Sequence, residues 1–296
     1  MQECHSKKTQ GKRRESVEAQ AFFPAMGRRK FLGLMLPATA AAVLARQPEA
    51  YSAQSGAPRA KSAAQWEFTP NPALPNVLLI GDSISIGYTL DVRRLMKGKA
   101  NVFRPMQANG APANCQNSHY GLEHIHSWLG NTEWSVIHFN WGLWDLCYRS
   151  RQAQNNGRRD KLHGVQDVPI AQYPKNLEKL VQILKHTRAT LIWAATTVVP
   201  PHEVGRFVGD EVKYNRAAAE VMRRNHIRTD DLHALTSKFP PGSFQAPGNV
   251  HYTSAGYERI AEQVASALSS ALQKGHASLR AGLQSGSGPL THPLSV

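Results

Sequence analysis

The 296-residue sequence holds only three cysteines, Cys4, Cys115 and Cys147, and none lies in a CxxC pair. That excludes a disulfide framework and the usual thiolate zinc or redox motifs, leaving either one Cys115–Cys147 bridge or two half-buried thiols. No GxGxxG turn follows the first strand-like run, which argues against a dinucleotide oxidoreductase. No GxSxG surrounds the first candidate serine, which argues against a lipase-type nucleophile elbow. Helix-turn-helix, zinc-finger and aromatic ribonucleoprotein patterns are missing too, so the net charge of +14 does not amount to a nucleic-acid-binding signature.

The placement of that charge carries more information than its size. Residues 1–63 contain eleven Lys/Arg and four Asp/Glu, so half of the excess, +7, sits ahead of the candidate domain. Within that segment Arg28, Arg29 and Lys30 precede an uncharged run of small and apolar residues over 34–45. The pattern resembles a twin-arginine export signal, with small residues over 50–53 as a cleavage region. The run is too short for a permanent membrane span. Residues 1–53 are therefore expected to be a signal region, and the mature protein periplasmic or secreted.

From there the chain reads as a linker over 54–75, one domain over 76–273 and an unstructured tail over 274–296. Apolar residues at 41% and charged residues at 19% suit a sizeable buried core. Short β-branched and apolar runs at 76–80, 101–105, 136–140, 190–196 and 226–230 predict strands. Apolar residues at helical spacing predict helices over 84–96, 121–129, 173–187, 210–225 and 254–272. Strict alternation implies a single three-layer α/β/α domain around a five-stranded parallel sheet, of the flavodoxin-like type. Ligands of such sheets bind beyond the carboxyl ends of the strands, which directs attention to 81–83, 107–117, 141–148 and 198–206.

The first of these loop tips holds Gly81-Asp82-Ser83, with the serine at a helix start where free N–H groups favour a developing anion. A serine there is also an ordinary helix cap. Near the other end His251 stands in Gly248-Asn249-Val250-His251-Tyr252, just before the last amphipathic helix. From there an imidazole reaches a serine at the rim, to take its proton during attack and return it to a leaving group. Asp82 and Asp145 read as structural carboxylates that hold turns by accepting backbone N–H groups.

Together the segments GDSISIGY, Gly110 after the second strand, Asn140-Trp141-Gly142-Leu143-Trp144-Asp145 after the third, and NVHYTSAGY near the end resemble the SGNH or GDSL hydrolases. The resemblance implies a serine esterase in which Ser83 is the nucleophile and His251 its base. It also implies an oxyanion hole built from the Ser83 N–H and a second N–H at Gly110, with the adjacent Asn109 as an alternative for part of that role. The family's third donor, an asparagine, falls where this chain has Trp144; the indole N–H or the nearby Asn140 is the candidate replacement. The family's orienting Asp, three residues before the histidine, is Gly248 here. A backbone carbonyl near Pro247 or Gly248 is then expected to hold the imidazole, and the role of Asn249 stays open. No cofactor and no metal is implied.

By the same resemblance the substrate is a small-molecule or carbohydrate ester, an O-acetyl group among the candidates. The long segment 149–173 carries Arg149, Arg151, Arg158, Arg159, Lys161 and His163, either as a lid that receives an acidic substrate or as a solvated charged loop. Tyr120, Trp141, Trp144 and Tyr148 offer flat faces for a sugar, or pack in the core. His119, His124, His126 and His138 raise a metal hydrolase as a rival, but His124 and His126, two apart on a predicted helix, point in different directions and do not chelate together easily. The remaining alternative is a weak or inactive carbohydrate-binding module on the same scaffold, since two expected polar groups are replaced.

Overall fold

The structure is a computed structural model that describes residues 63–150 and 158–285, with side chains for 64–150 and 158–274. The expected signal region, 1–53, lies outside the described residues.

Five parallel strands form the sheet: β1 (Asn76–Ile80), β2 (Asn101–Phe103), β3 (Val136–Phe139), β6 (Thr190–Ala194) and β7 (Arg228–Asp230), in the order β2-β1-β3-β6-β7. A two-stranded antiparallel pair, β4 (Tyr148–Arg149) and β5 (Val165–Gln166), lies apart from it. Val77, Leu79, Ile137 and Phe139 are fully buried, as expected of strands covered on both faces. The helices are α1 (Ser83–Leu95), α2 (Ser118–Leu129), α3 (Tyr173–Lys185), α4 (Asp210–Arg224), the short α5 (Leu232–Thr236) and α6 (Ser254–Ser285). One layer holds α1 packed on α6, the other α2, α3 and α4 in succession. The chain order thus reverses between β1 and β3, and such a reversal opens the crevice where a doubly wound sheet binds ligands.

The expected architecture is the observed one, with three differences at its ends. Residues 66–75, expected as linker, lie on the domain: Trp66 is buried, its carbonyl accepts from Arg93 Nη1, and Phe68 packs edge-on against Phe103. Burying the Trp66 ring and resting Phe68 on Phe103 outweighs the disorder favoured by the Ser, Ala and Gln around them. At the other end α6 continues to Ser285, twelve residues into the expected tail, because 265–285 is rich in Ala and Leu, which keep helix geometry at little entropic cost. Strands β2 and β6 end two residues early, where the chain turns out to form the loop tips.

The docking of α1 on α6 joins the first and last motifs. A side chain at Gly87 would occupy the ring of Tyr257, so the glycine lets the two helices close over an aromatic residue that is itself 8% exposed. Cys115 and Cys147 are separate buried thiols, not a bridge. No helix among the described residues is long and apolar enough to cross a membrane.

Candidate active site

The turn after β1 is built by Asp82, the N-cap of α1. Its Oδ1 accepts the Ile84 N–H at 2.9 Å and its carbonyl accepts from Ile86 N, so the helix begins at Ser83. Burial pushes the Asp82 carboxyl above its ordinary range, against the opposing pull of Arg206 and Arg104. Ser83 therefore sits at the first helical position, where backbone N–H groups have no intrahelical acceptor.

Behind this turn lies a residue that the sequence reading passed over. Arg104, 4% exposed, donates through Nη1 to Thr89 Oγ1 (2.9 Å) and Ser85 Oγ (3.2 Å), and through Nη2 to the carbonyls of Ala113 (2.8 Å) and Gly81 (3.4 Å). One planar fork with fixed donors thus holds the nucleophile turn against the loop after β2. Burial lowers its pKa from the usual arginine value.

Ser83 and His251, 168 positions apart, meet here: Nε2 lies 2.8 Å from Oγ. On the far side of the ring Nδ1 lies 2.7 Å from Asn249 Oδ1. The same oxygen accepts the backbone N–H of His251 at 3.0 Å, and this fixes the chemistry of the whole chain of contacts. A backbone N–H only donates, so the amide atom facing it is the oxygen; an oxygen accepts, so Nδ1 carries the proton; Nε2 then holds a lone pair towards the serine hydroxyl. The expected backbone carbonyl near Pro247 or Gly248 is not the partner, because the side chain of Asn249 folds back in a two-residue turn and fills the place.

The absence of the expected acid at position 248 has a steric cause. Gly248 has φ 72°, and a Cβ there would stand 2.6 Å from the His202 carbonyl oxygen. The His202 loop is packed against this turn, so no side chain fits. Burial lowers the His251 pKa from its ordinary 6.5, and the positive charges of Arg206 and Arg159 lower it further.

The proposed oxyanion donors separate on inspection. Gly110 (φ 77°) gives its N–H to the Gln107 carbonyl at 3.0 Å inside a tight turn, which corrects its assignment as a donor to the site. Asn140 gives its amide protons to the Ala194 carbonyl (2.7 Å) and the Thr196 hydroxyl (3.2 Å), bracing β3 to β6, so its donors too are committed elsewhere. Trp144 is half-buried with the Arg149 guanidinium 4.4 Å from its ring centre. The backbone N–H of Ser83 remains at the helix start.

Asp145 holds the loop after β3 by accepting the Ser118 N–H at 2.8 Å, as expected for a structural carboxylate, and burial pushes its pKa to about 7. Of the four aromatics, Trp141 is core, donating to the Cys115 carbonyl; Tyr120 stacks on His124; Trp144 and Tyr148 are half-buried. Of the four histidines, His138, on β3, is buried against Asp230, and the other three lie on α2, where His119 pairs with Glu123, His124 joins the aromatic stack and His126 stands in the last turn. Among the described residues no group of three or more His, Cys, Asp or Glu side chains is placed to hold a metal.

No protein-family model matches the chain, and no curated protein matches it in sequence. Solved structures do resemble it. A lipase/acylhydrolase from Enterococcus faecalis superposes with TM-score 0.51 at 16% identity, over 66% of this chain and 95% of that one. An acetyl xylan esterase gives 0.51 at 15% identity, over 65% and 98%. An α/β hydrolase from the metagenome of Lake Arreo, Spain, gives 0.51 at 16% identity, over 69% and 98%. The chain shares its three-layer α/β/α fold, with a five-stranded parallel sheet, with these solved structures.

Proposed function

We propose that the protein is an exported serine esterase that removes a small acyl group, an O-acetyl among the candidates, from a carbohydrate through a Ser83–His251–Asn249 triad. The observation that carries this reading is the 2.8 Å approach of His251 Nε2 to Ser83 Oγ, in the tautomer that accepts the hydroxyl proton. Ser83 Oγ attacks the ester carbonyl as its proton passes to Nε2. The imidazolium then protonates the leaving alcohol, and water, activated by the same nitrogen, releases the acid and restores the serine. The Ser83 N–H and the Trp144 indole N–H are the donors assigned to the oxyanion. The acetyl xylan esterase among the structural neighbours supports the choice of a carbohydrate acetyl ester. The paired Arg28 and Arg29 support export.

The test is hydrolysis of p-nitrophenyl acetate together with labelling by a fluorophosphonate probe. Labelling at Ser83, and turnover, are expected in the wild type and lost in Ser83→Ala and His251→Ala. Sugar binding without labelling or turnover would overturn the esterase in favour of a binding module. Retention of a fused reporter in the cytoplasm in Arg28→Lys/Arg29→Lys tests export.

A further inference from the structure

Beside the triad lies an open cleft of about 680 Å³, within the range of ligand pockets, lined by Arg158, Arg159, Asp160, Lys161, His202 and Glu203 among others. Its charges are organised around Glu203, which is 1% exposed. One carboxylate oxygen accepts from Arg206 Nη1 at 2.9 Å and Arg159 Nη1 at 3.1 Å, the other accepts the Gly205 N–H at 2.7 Å, and the Glu203 carbonyl accepts from Lys161 Nζ at 2.6 Å. The buried carboxylate therefore holds two guanidinium groups and the backbone carbonyl of the same residue holds the ammonium, so three cations gather around one anion with two positive charges in excess. Asp160, the other acid of the cleft, is occupied in capping the Leu162 and His163 N–H groups and pairing with His163.

The cations stand on rigid backbone. Ser150 N donates to the Arg158 carbonyl, Asp160 N to the Tyr148 carbonyl, and Tyr148 N to the Gly205 carbonyl, so residues 158–160 are laced to 148–150 like a short ladder. The stem of Arg159 lies on Gly205, where a Cβ would come within 2.9 Å of Arg159 Cβ. Rotamer freedom of the guanidinium is spent before any ligand arrives, which favours tight and selective anion binding. The cleft adjoins the reaction centre: His202, on its wall, touches Gly248 of the His251 turn, and Arg206 Nε donates to the Leu143 carbonyl next to Trp144.

We infer that Arg159 and Lys161, held on Glu203, form a recognition subsite for an anionic group near the scissile ester, so that the substrate is an ester of an acidic, carboxylate- or sulfate-bearing carbohydrate. This rests on the esterase reading and narrows its substrate class. Half of the Arg159 side chain remains exposed, leaving guanidinium donors for a ligand. The closeness of Arg159 and Arg206 to His251, felt as a downward push on the imidazole pKa, means that a bound anion also offsets charge that disfavours the imidazolium.

The test compares kcat/KM of the full-length protein for O-acetylated galacturonate, O-acetylated galactose and O-acetylated galactose 6-sulfate, with p-nitrophenyl acetate as a reference. Wild type is expected to prefer at least one acidic ester over the neutral sugar by about tenfold or more, as for a hydrogen bond to a charged group. That preference should shrink as salt is raised to 0.5 M. Preference for the carboxylate alone indicates geometric matching, and preference for both indicates charge matching; either supports the subsite. Arg159→Gln/Lys161→Gln should bring the ratio towards one, and Lys161→Gln alone should lower it part of the way. Lys175→Gln/Lys179→Gln, an equal change of charge on exposed α3 positions, should leave the ratio unaltered. A ratio near one in wild type, or one unmoved by the double variant, overturns the subsite while leaving the esterase standing. Failure to hydrolyse even p-nitrophenyl acetate overturns the esterase itself.

Discussion

Replacing Asn249 by aspartate should make the proposed esterase faster and move its pH dependence upward. In the wild type Asn249 Oδ1 accepts from both the ring Nδ1 and the backbone N–H of His251, at 2.7 and 3.0 Å. An aspartate is nearly isosteric and keeps both contacts, so the tautomer is unchanged and only a charge is added. With charge centres about 4 Å apart and an effective dielectric near 20, the attraction to an imidazolium is about 4 kcal/mol before the carboxylate's own desolvation is subtracted. A net gain of about 1.4 to 2.8 kcal/mol corresponds to one to two pH units, or to a ten- to hundredfold rise in kcat at pH 8. The gain is much smaller than the ten-thousandfold effect known for an acid-to-amide change in the reference serine proteases, because that change left the wrong tautomer and this chain already has the right one. The sign follows from the base being the neutral imidazole: activity rises with pH through the His251 pKa. That pKa lies below 6.5 in the wild type and should be raised by the aspartate, so the acidic limb of kcat/KM shifts to higher pH. Hydrolysis of p-nitrophenyl acetate from pH 4 to 9 measures both effects. An acidic limb that stays in place, or turnover lowered by the aspartate while the protein remains folded, would refute the assignment of Asn249 as the orienting group.

By contrast Gly248→Asp, which restores the acid at its expected position in sequence, should destabilise the protein. The φ of 72° costs about 1 to 2 kcal/mol for a side-chain-bearing residue, and the Cβ also meets His202 O; a melting temperature lowered by several degrees with no gain in kcat is the expected outcome. Arg104→Lys keeps the charge but loses the fork that ties Gly81, Ala113, Ser85 and Thr89 together, so kcat should fall at least tenfold with the fold retained by circular dichroism. Trp144→Phe removes one N–H and keeps a ring for Arg149 to cover. If the indole serves the oxyanion, kcat falls by about 2.7 to 4 kcal/mol in activation energy with little change in KM; unchanged kcat refutes that role. Asp145 ionises at about 7 when folded and near 3.8 when unfolded, so the folded state keeps the proton longer and this group's contribution to stability declines from pH 4 to pH 7, by up to about 4 kcal/mol. Asp145→Asn still accepts the Ser118 N–H and does not titrate; denaturant unfolding at pH 4.5 and 8 should show a smaller difference between the two pH values than in the wild type.

The strands and helices were legible because each announces itself within a few residues. The runs at 76–80 and 136–140 are apolar enough to be covered on both faces, and the periodicity of 173–187 and 254–272 leaves one face for the sheet. Ser83 and His251 were legible because their positions, a helix start after the first strand and the turn before the last helix, put both at the same rim once the strand order is that of a doubly wound sheet. Gly110 and Asn140 were read wrongly as donors for one reason: the sequence gives a residue's type and loop, but not which of its hydrogens is already taken. Arg104 was invisible because a buried arginine in a short strand exit looks like a surface charge until its four acceptors are assembled.

Amino-acid order alone set the layering of the domain and brought hydroxyl and imidazole to a common edge, because burial patterns act locally and every element obeys them. The orientation of the imidazole was settled only in three dimensions, where the His202 loop, some fifty residues upstream, crowds position 248 and leaves the neighbouring amide to hold the ring. Steric exclusion between segments remote in the chain has no signature in either segment by itself.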